Sequence, residues 1–216
     1  MKRFLDIPKI FIFYQNLVGD KKYKKYITKN FLKIKDGDSI LDLGCGPASL
    51  IPFLPGNIKY VGIDKSIEYI NYASNKYKNH KFICSNSFDL KEGLENKFDI
   101  IISDALFMSL SNEEAHKTLS LITSLLKEDG TFFFMDGCYV ENGAKIANWF
   151  LSKERGKNTR SENEYKNLLS KYFKNIEIKT NSKLYNIPHT KIMIRNTEVK
   201  TNTSIELPIS NNQANK

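Results

Sequence analysis

Apolar positions follow two different periods along this chain. Residues 8–17 and 21–34 repeat with a helical period. In the second stretch Tyr23, Ile27, Phe31 and Ile34 fall on one stripe, with most lysines off it. Gly19 and Asp20 separate the two helices. From residue 39 the pattern breaks into short apolar runs bounded by turn residues, at 39–43, 58–63, 81–84, 98–103 and 131–135. The run FDIIIS at 98–103 is nearly all apolar, as suits a parallel strand covered on both faces. Helical patterns lie between these runs at 48–54, 66–77 and 112–127. Ser66 caps the second of these, which turns Ile67, Ile70 and Ala73 inward, and Lys127 and Gly130 mark the end of the third.

Strand–helix alternation of this kind predicts an α/β domain on a parallel sheet with right-handed crossovers. The last third departs from it. Residues 144–152 and 161–172 read as helices, then 176–180 and 190–195 as strands that pair antiparallel at the sheet edge. Residues 201–216 are polar and without a period, which predicts a loose tail. The expected organisation is a helical extension at 1–36, the α/β domain at 37–200 and the tail.

The strand ends carry the chemistry. The first run leads into SILDLGCGPAS (39–49), and the second, KYVGID (59–64), ends on an aspartate. A strand stopping at a glycine-rich turn, with an acid closing the next strand, is how an open α/β sheet holds a nucleoside-containing cofactor. Gly44 and Gly46 permit a tight turn and close backbone approach. The third glycine of a dinucleotide site is missing, which points away from NAD and toward a cofactor without a pyrophosphate.

Composition narrows the class. Hydrophobic residues make up 41% and charged residues 26%, a globular balance, and no run nears the roughly 20 apolar residues of a membrane span. The basic, then apolar, start is interrupted by Asp6 and Pro8 and lacks a small-residue cleavage site, so a cytoplasmic location is expected. Cys45, Cys84 and Cys138 have no paired spacing, which predicts neither a metal site nor a disulfide framework; Cys45 and Cys84 are expected to pack. The net charge of +9 is spread along the chain, with one dense cluster at Lys21 to Lys25. A nucleic-acid surface is therefore an alternative and not the leading reading.

Taken in order, ILDLGCGPAS, YVGID, FICSNS, FDIIISDALF and LLKEDGTFFFMD resemble the class I, Rossmann-like, S-adenosylmethionine-dependent methyltransferases, and less closely their bacterial small-molecule members. The resemblance covers about the first two thirds of the chain. It implies a mostly parallel sheet of about seven strands with an antiparallel edge hairpin, plus the N-terminal helical extension. It implies S-adenosylmethionine as cofactor. Asp42 would position the methionine amino end, Gly44 and Gly46 carry the backbone past the cofactor, and Asp64 accepts from both ribose hydroxyls. Lys65 and Ser66 would line the adenine, with Asn86 and Ser87 standing where the family often has an acid. Asp104, after the fourth strand, would meet the methionine portion or the substrate.

Asp104, Asp136 and His189 are the catalytic candidates. His80 is assigned to the opposite end of the sheet, and His116 to a solvent-facing helix surface. Tyr14, Cys138, Arg155 and Arg160 are the substrate candidates, the two arginines as a clamp for a carboxylate or phosphate. Tyr14, Tyr23 and Tyr26 would line the helical extension as a lid. Residues 103–106 lack the signature of nucleobase amino methylation. The expected function is methyl transfer to an oxygen or nitrogen of a small, anionic metabolite or sugar. A small-molecule partner is expected, with no nucleic acid, no membrane and no metal. An RNA or protein methyltransferase, and a non-catalytic binding protein on the same fold, are the alternatives.

Overall fold

Two helices open the chain, α1 (Pro8–Val18) and α2 (Asp20–Asn30). They meet at Gly19, whose φ of +102° is open to glycine at little cost. The structure, a computed structural model, describes residues 6–90, 94, 97–139, 148–149, 158–187 and 189–200. The expected tail at 201–216, Arg155, and most of the helix expected at 144–152 lie outside these residues.

The strands are β1 (Ser39–Leu43), β2 (Lys59–Asp64), β3 (Lys81–Cys84), β4 (Phe98–Asp104), β5 (Leu126–Tyr139), β6 (Arg160–Ser161), β7 (Phe173–Asn181) and β8 (Lys191–Val199). Helices α3 (Ile67–Lys76), α4 (Asn112–Leu125) and α5 (Glu162–Leu169) connect them. The sheet runs β3-β2-β1-β4-β5-β8-β7, with short β6 beside the end of β5. The first five strands are parallel, and β8 runs antiparallel to both β5 and β7. The sheet is thus mostly parallel with an antiparallel edge. Chain order reverses between β1 and β4, the switch point at which open sheets bind ligands.

Both faces are covered. On one, Leu41, Ile101, Phe132 and Phe134 cluster with Leu119 and Ile122 of α4 and Tyr165 and Leu169 of α5. On the other, Ile40, Tyr60, Ile102 and Phe133 cluster with Tyr23 and Ile27 of α2. The helices start where local caps place them. Ser66 accepts from the Tyr69 amide, and Ser111 with Glu114, like Ser161 with Glu164, forms a reciprocal capping box.

Several elements differ from their sequence reading. Helix α2 stops at Asn30, four residues early, and Lys33 takes a left-handed φ of +49° that no helix tolerates. The stretch 48–54 yields only a short 3₁₀ turn at Ile51–Phe53, because Ala48 is itself left-handed at +53°. Strand β5 begins at Leu126 opposite Phe98, makes an excursion, and resumes with Thr131 opposite Ile100. His116 is buried, not solvent-facing, and its Nδ1 lies 2.7 Å from the Tyr172 hydroxyl. Burial holds its imidazole below the usual range. Cys84 is exposed and does not pack in the core, whereas Cys45 is buried.

Candidate functional site

The turn after β1 is built by backbone. The amides of Gly44 and Cys45 both donate to the Ile63 carbonyl at the end of β2, at 2.8 and 2.9 Å. Gly44 and Gly46 sit at φ +76° and +54°, and a Cβ on Gly44 would stand 3.4 Å from Leu106. Beside the turn, Gly62 leaves room for the Cys45 sulfur, which a Cβ there would meet at 2.8 Å. Burial pushes the Cys45 thiol far above its ordinary range, so it is a packing group.

Asp64 ties the turn to the next helix. One carboxylate oxygen accepts the Gly46 amide at 2.9 Å and the other the Ser66 amide at 2.8 Å. Each oxygen keeps a lone pair, so the two acceptors fit the hydroxyl donors of a ribose diol. Burial raises the Asp64 carboxyl, and these amides oppose the rise. The Ser85 amide binds the Asp64 carbonyl and so brings the end of β3 alongside. Of the residues following it, Asn86 is exposed, while Ser87 is buried 3.4 Å from the Thr118 hydroxyl. Lys65 is exposed.

Asp42 is buried in β1 and accepts a 2.6 Å bond from the Tyr60 hydroxyl. Burial pushes its carboxyl up to about 7, against the pull of that bond. On the far side of the switch point, Asp104 is partly exposed and pairs at 2.6 Å with Lys191, which is almost wholly buried. Lys191 also stands over the Tyr23 ring, 5.3 Å from its centre. Tyr23 stacks on Tyr185, and Tyr185 meets His189 edge-on at 5.0 Å. His189 therefore joins the side of the sheet that α2 covers.

Three expectations need correction. Asp136 is fully buried and accepts the amides of Met108 and Gly137, both at 2.9 Å. It anchors the loop after β4 and has no exposed surface; burial pushes its carboxyl to about 7. Arg160 is also buried. Its guanidinium donates to the carbonyls of Phe107, Asn158 and Leu110 and to the Asn112 side chain, at 2.8–3.1 Å. It ties β6 to the loop after β4 and offers no anion clamp. Cys138 is 1% exposed, and burial pushes its thiol up to about 12.

The helical extension reaches the turn through residues other than Tyr14. Phe11 packs on Tyr69 of α3 at 5.3 Å, and a Cβ on Gly46 would lie 4.0 Å from its ring. Tyr14 is 43% exposed, on the outer side of α1 with Phe13 and Leu17. The Asn186 backbone and side-chain amides donate to the carbonyls of Val18 and Leu17, capping the end of α1. Lys24 of α2 donates to Asp20 at 2.6 Å and, through a short bond, to Ser49 at the end of the turn. None of Phe11, Tyr60, Asn186 and Lys191 stood out in the sequence, and Lys24 did so only as one of the basic cluster at Lys21 to Lys25. The spacing of Asp20 and Lys24, one helical turn apart, is the one local signal among them. A shallow hollow is lined by Asn75, Lys76, Tyr77 and His80, the last of which meets the Tyr60 ring edge-on at 5.6 Å.

Comparison with known proteins adds a family. The model of a family described as "Methyltransferase domain" matches residues 34–197. The chain is 26% identical over 177 residues to putative methyltransferase 235L of Invertebrate iridescent virus 6, covering 76% of this chain and 65% of that protein. It is 28% identical over 191 residues to the phosphoethanolamine N-methyltransferase of Plasmodium falciparum, covering 82% of this chain and 69% of that one. It spans less than two thirds of the length of several curated relatives it matches, down to 23%. Among solved structures, the plantazolicin methyltransferase BpumL, in complex with a triazolic desmethylPZN analog and SAH, superposes with a TM-score of 0.64 at 16% identity. That match covers 88% of this chain and 90% of BpumL.

Proposed function

The chain belongs to the methyltransferase domain family, and on that premise we propose that it transfers a methyl group from S-adenosylmethionine to a nitrogen or oxygen of a small molecule. The observation that carries this reading is the clasp of Asp64 on Gly46, which sets the carboxylate that ends β2 beside a left-handed glycine turn. S-adenosylmethionine, when bound, supplies an electrophilic methyl on a positively charged sulfur. Asp64 would take the ribose hydroxyls, and Gly44 and Gly46 would let the backbone lie against the ligand. Asp42 would face its amino end, with the exposed Lys65 and Asn86 beside the adenine.

Positioning then does much of the work, since methyl transfer needs in-line approach more than covalent help from the protein. Asp104 is the catalytic candidate the geometry favours. It is partly exposed at the carboxyl edge of β4 and is held by Lys191. A carboxylate there suits an acceptor that carries a proton to be shed, and a nitrogen acceptor agrees with the phosphoethanolamine N-methyltransferase relative. His189 stands behind Tyr185 as a group that shapes this side. With Arg160 committed to carbonyls, an anionic acceptor loses its described support.

Calorimetry with S-adenosylhomocysteine tests the cofactor half. Asp64→Ala is expected to weaken binding about tenfold or more, since two charge-assisted contacts disappear. Unchanged affinity would refute the assigned site. Incubating the protein with small-molecule extracts and S-adenosylmethionine, and reading a mass gain of one methylene, would identify the acceptor.

A further inference from the structure

The glycine turn is flanked by one buried carboxylate and one buried ammonium. Asp42 lies in the strand that enters it, and Lys24 sits over Ser49 where the chain leaves it. Lys24 is 5% exposed although it belongs to a helix whose other buried side chains include Tyr23 and Ile27. Its ammonium carries three N–H donors. Asp20 takes one at 2.6 Å and Ser49 another, and no further partner is present among the described residues. A buried ion pair adds little stability over apolar residues of the same volume. Its neighbours Tyr23 and Ile27 are fully buried in the core cluster on this face. A buried cation with a donor to spare, at the turn that approaches a ligand, calls for an anion on that ligand.

We infer that Lys24 binds the carboxylate of the amino-acid end of S-adenosylmethionine, while Asp42 faces the amino group of the same end. The assignment rests on the cofactor reading above and adds a residue that the turn motif does not contain. Together Lys24 and Asp42 form the donor and acceptor set of a zwitterion site. Asp20 and Ser49 are its positioning residues, holding the ammonium without exhausting it. Gln15 of α1 stands 3.4 Å from the same Ser49 hydroxyl, so both helices of the extension reach this corner.

Two ligands separate this role from a structural one. S-adenosylhomocysteine carries the amino-acid end, whereas 5′-methylthioadenosine keeps the nucleoside and the thioether without it. Calorimetry on Lys24→Met should show S-adenosylhomocysteine binding about tenfold or more weaker, with 5′-methylthioadenosine changed by less than about threefold. Equal affinity of variant and wild type for S-adenosylhomocysteine would overturn the inference, and so would an equal loss for both ligands. Should Asp20, left alone in the interior, prevent Lys24→Met from folding, the uncharged pair Asp20→Asn with Lys24→Met gives the same comparison. A wild-type chain that binds neither ligand defeats the cofactor reading itself, an outcome distinct from selective insensitivity at Lys24.

Discussion

Asp42 couples the site to pH. Burial raises its carboxyl to about 7 in the folded chain, from an ordinary value near 4 in the unfolded one. The folded state therefore holds the proton more tightly. The stability this contributes is fully present below about pH 4 and is lost as pH rises toward 7. Asp42→Asn keeps an acceptor for Tyr60 and removes the charge. Its melting temperature, compared with wild type, is expected to gain from pH 5 to about pH 7 and to level off above it; parallel curves would contradict the burial argument. Arg160 gives a second test at this scale. Arg160→Ala strips donors from three carbonyls and should cost about 2–4 kcal/mol in denaturant unfolding, with S-adenosylhomocysteine affinity unchanged once folded. The contrast shows what sequence discloses about single residues. Asp64 was legible because strand end, turn and acid are neighbours in the chain. Arg160 was not, because its partners Phe107 and Leu110 lie some fifty positions away.

Helix α1 shows how an element is held from a distance. It contributes no fully buried side chain, and Asn186 satisfies two of its terminal carbonyls from the loop between β7 and β8. A Cβ on Gly19 would meet the Asn186 backbone nitrogen at 3.0 Å, so the two positions fit only as a pair. Asn186→Ala removes the side-chain half of this cap. Amide exchange in α1 should then accelerate about fivefold, the equivalent of roughly 1 kcal/mol, while α4 stays unchanged. No difference in α1 would mean that the Asn186 backbone bond and the packing of Phe11 secure it without the side-chain bond. Helices α3 and α4 were readable because their caps and stripes are local. The early end of α2 and the long β5 were not. A left-handed Lys33 carries no composition signal, and the pairing of Leu126 with Phe98 is decided by β4.

Across the whole molecule, the alternation of strands and helices was enough to give the sheet class. The strand order was not legible, because the pairing of β1 with both β2 and β4 joins segments distant in the chain. The antiparallel pair at the end is more than an edge. β8 lies between β5 and β7 and covers one flank of the apolar run Phe132, Phe133 and Phe134. A chain ending at residue 172 would leave β5 with an open, apolar edge. It is expected to elute as aggregate in size exclusion and to lose its cooperative melt; a monomeric, cooperatively melting fragment would show that the parallel half stands alone.

The clasp of Asn186 on α1 also carries a meaning for synthesis. Synthesis runs from the N-terminal side, so α1, the glycine turn and Asp64 precede Asn186, which lies more than a hundred residues after that turn. The bond of Asp64 to the turn can therefore form before α1 gains its latch, and α1 is fixed only once the loop between β7 and β8 has been made.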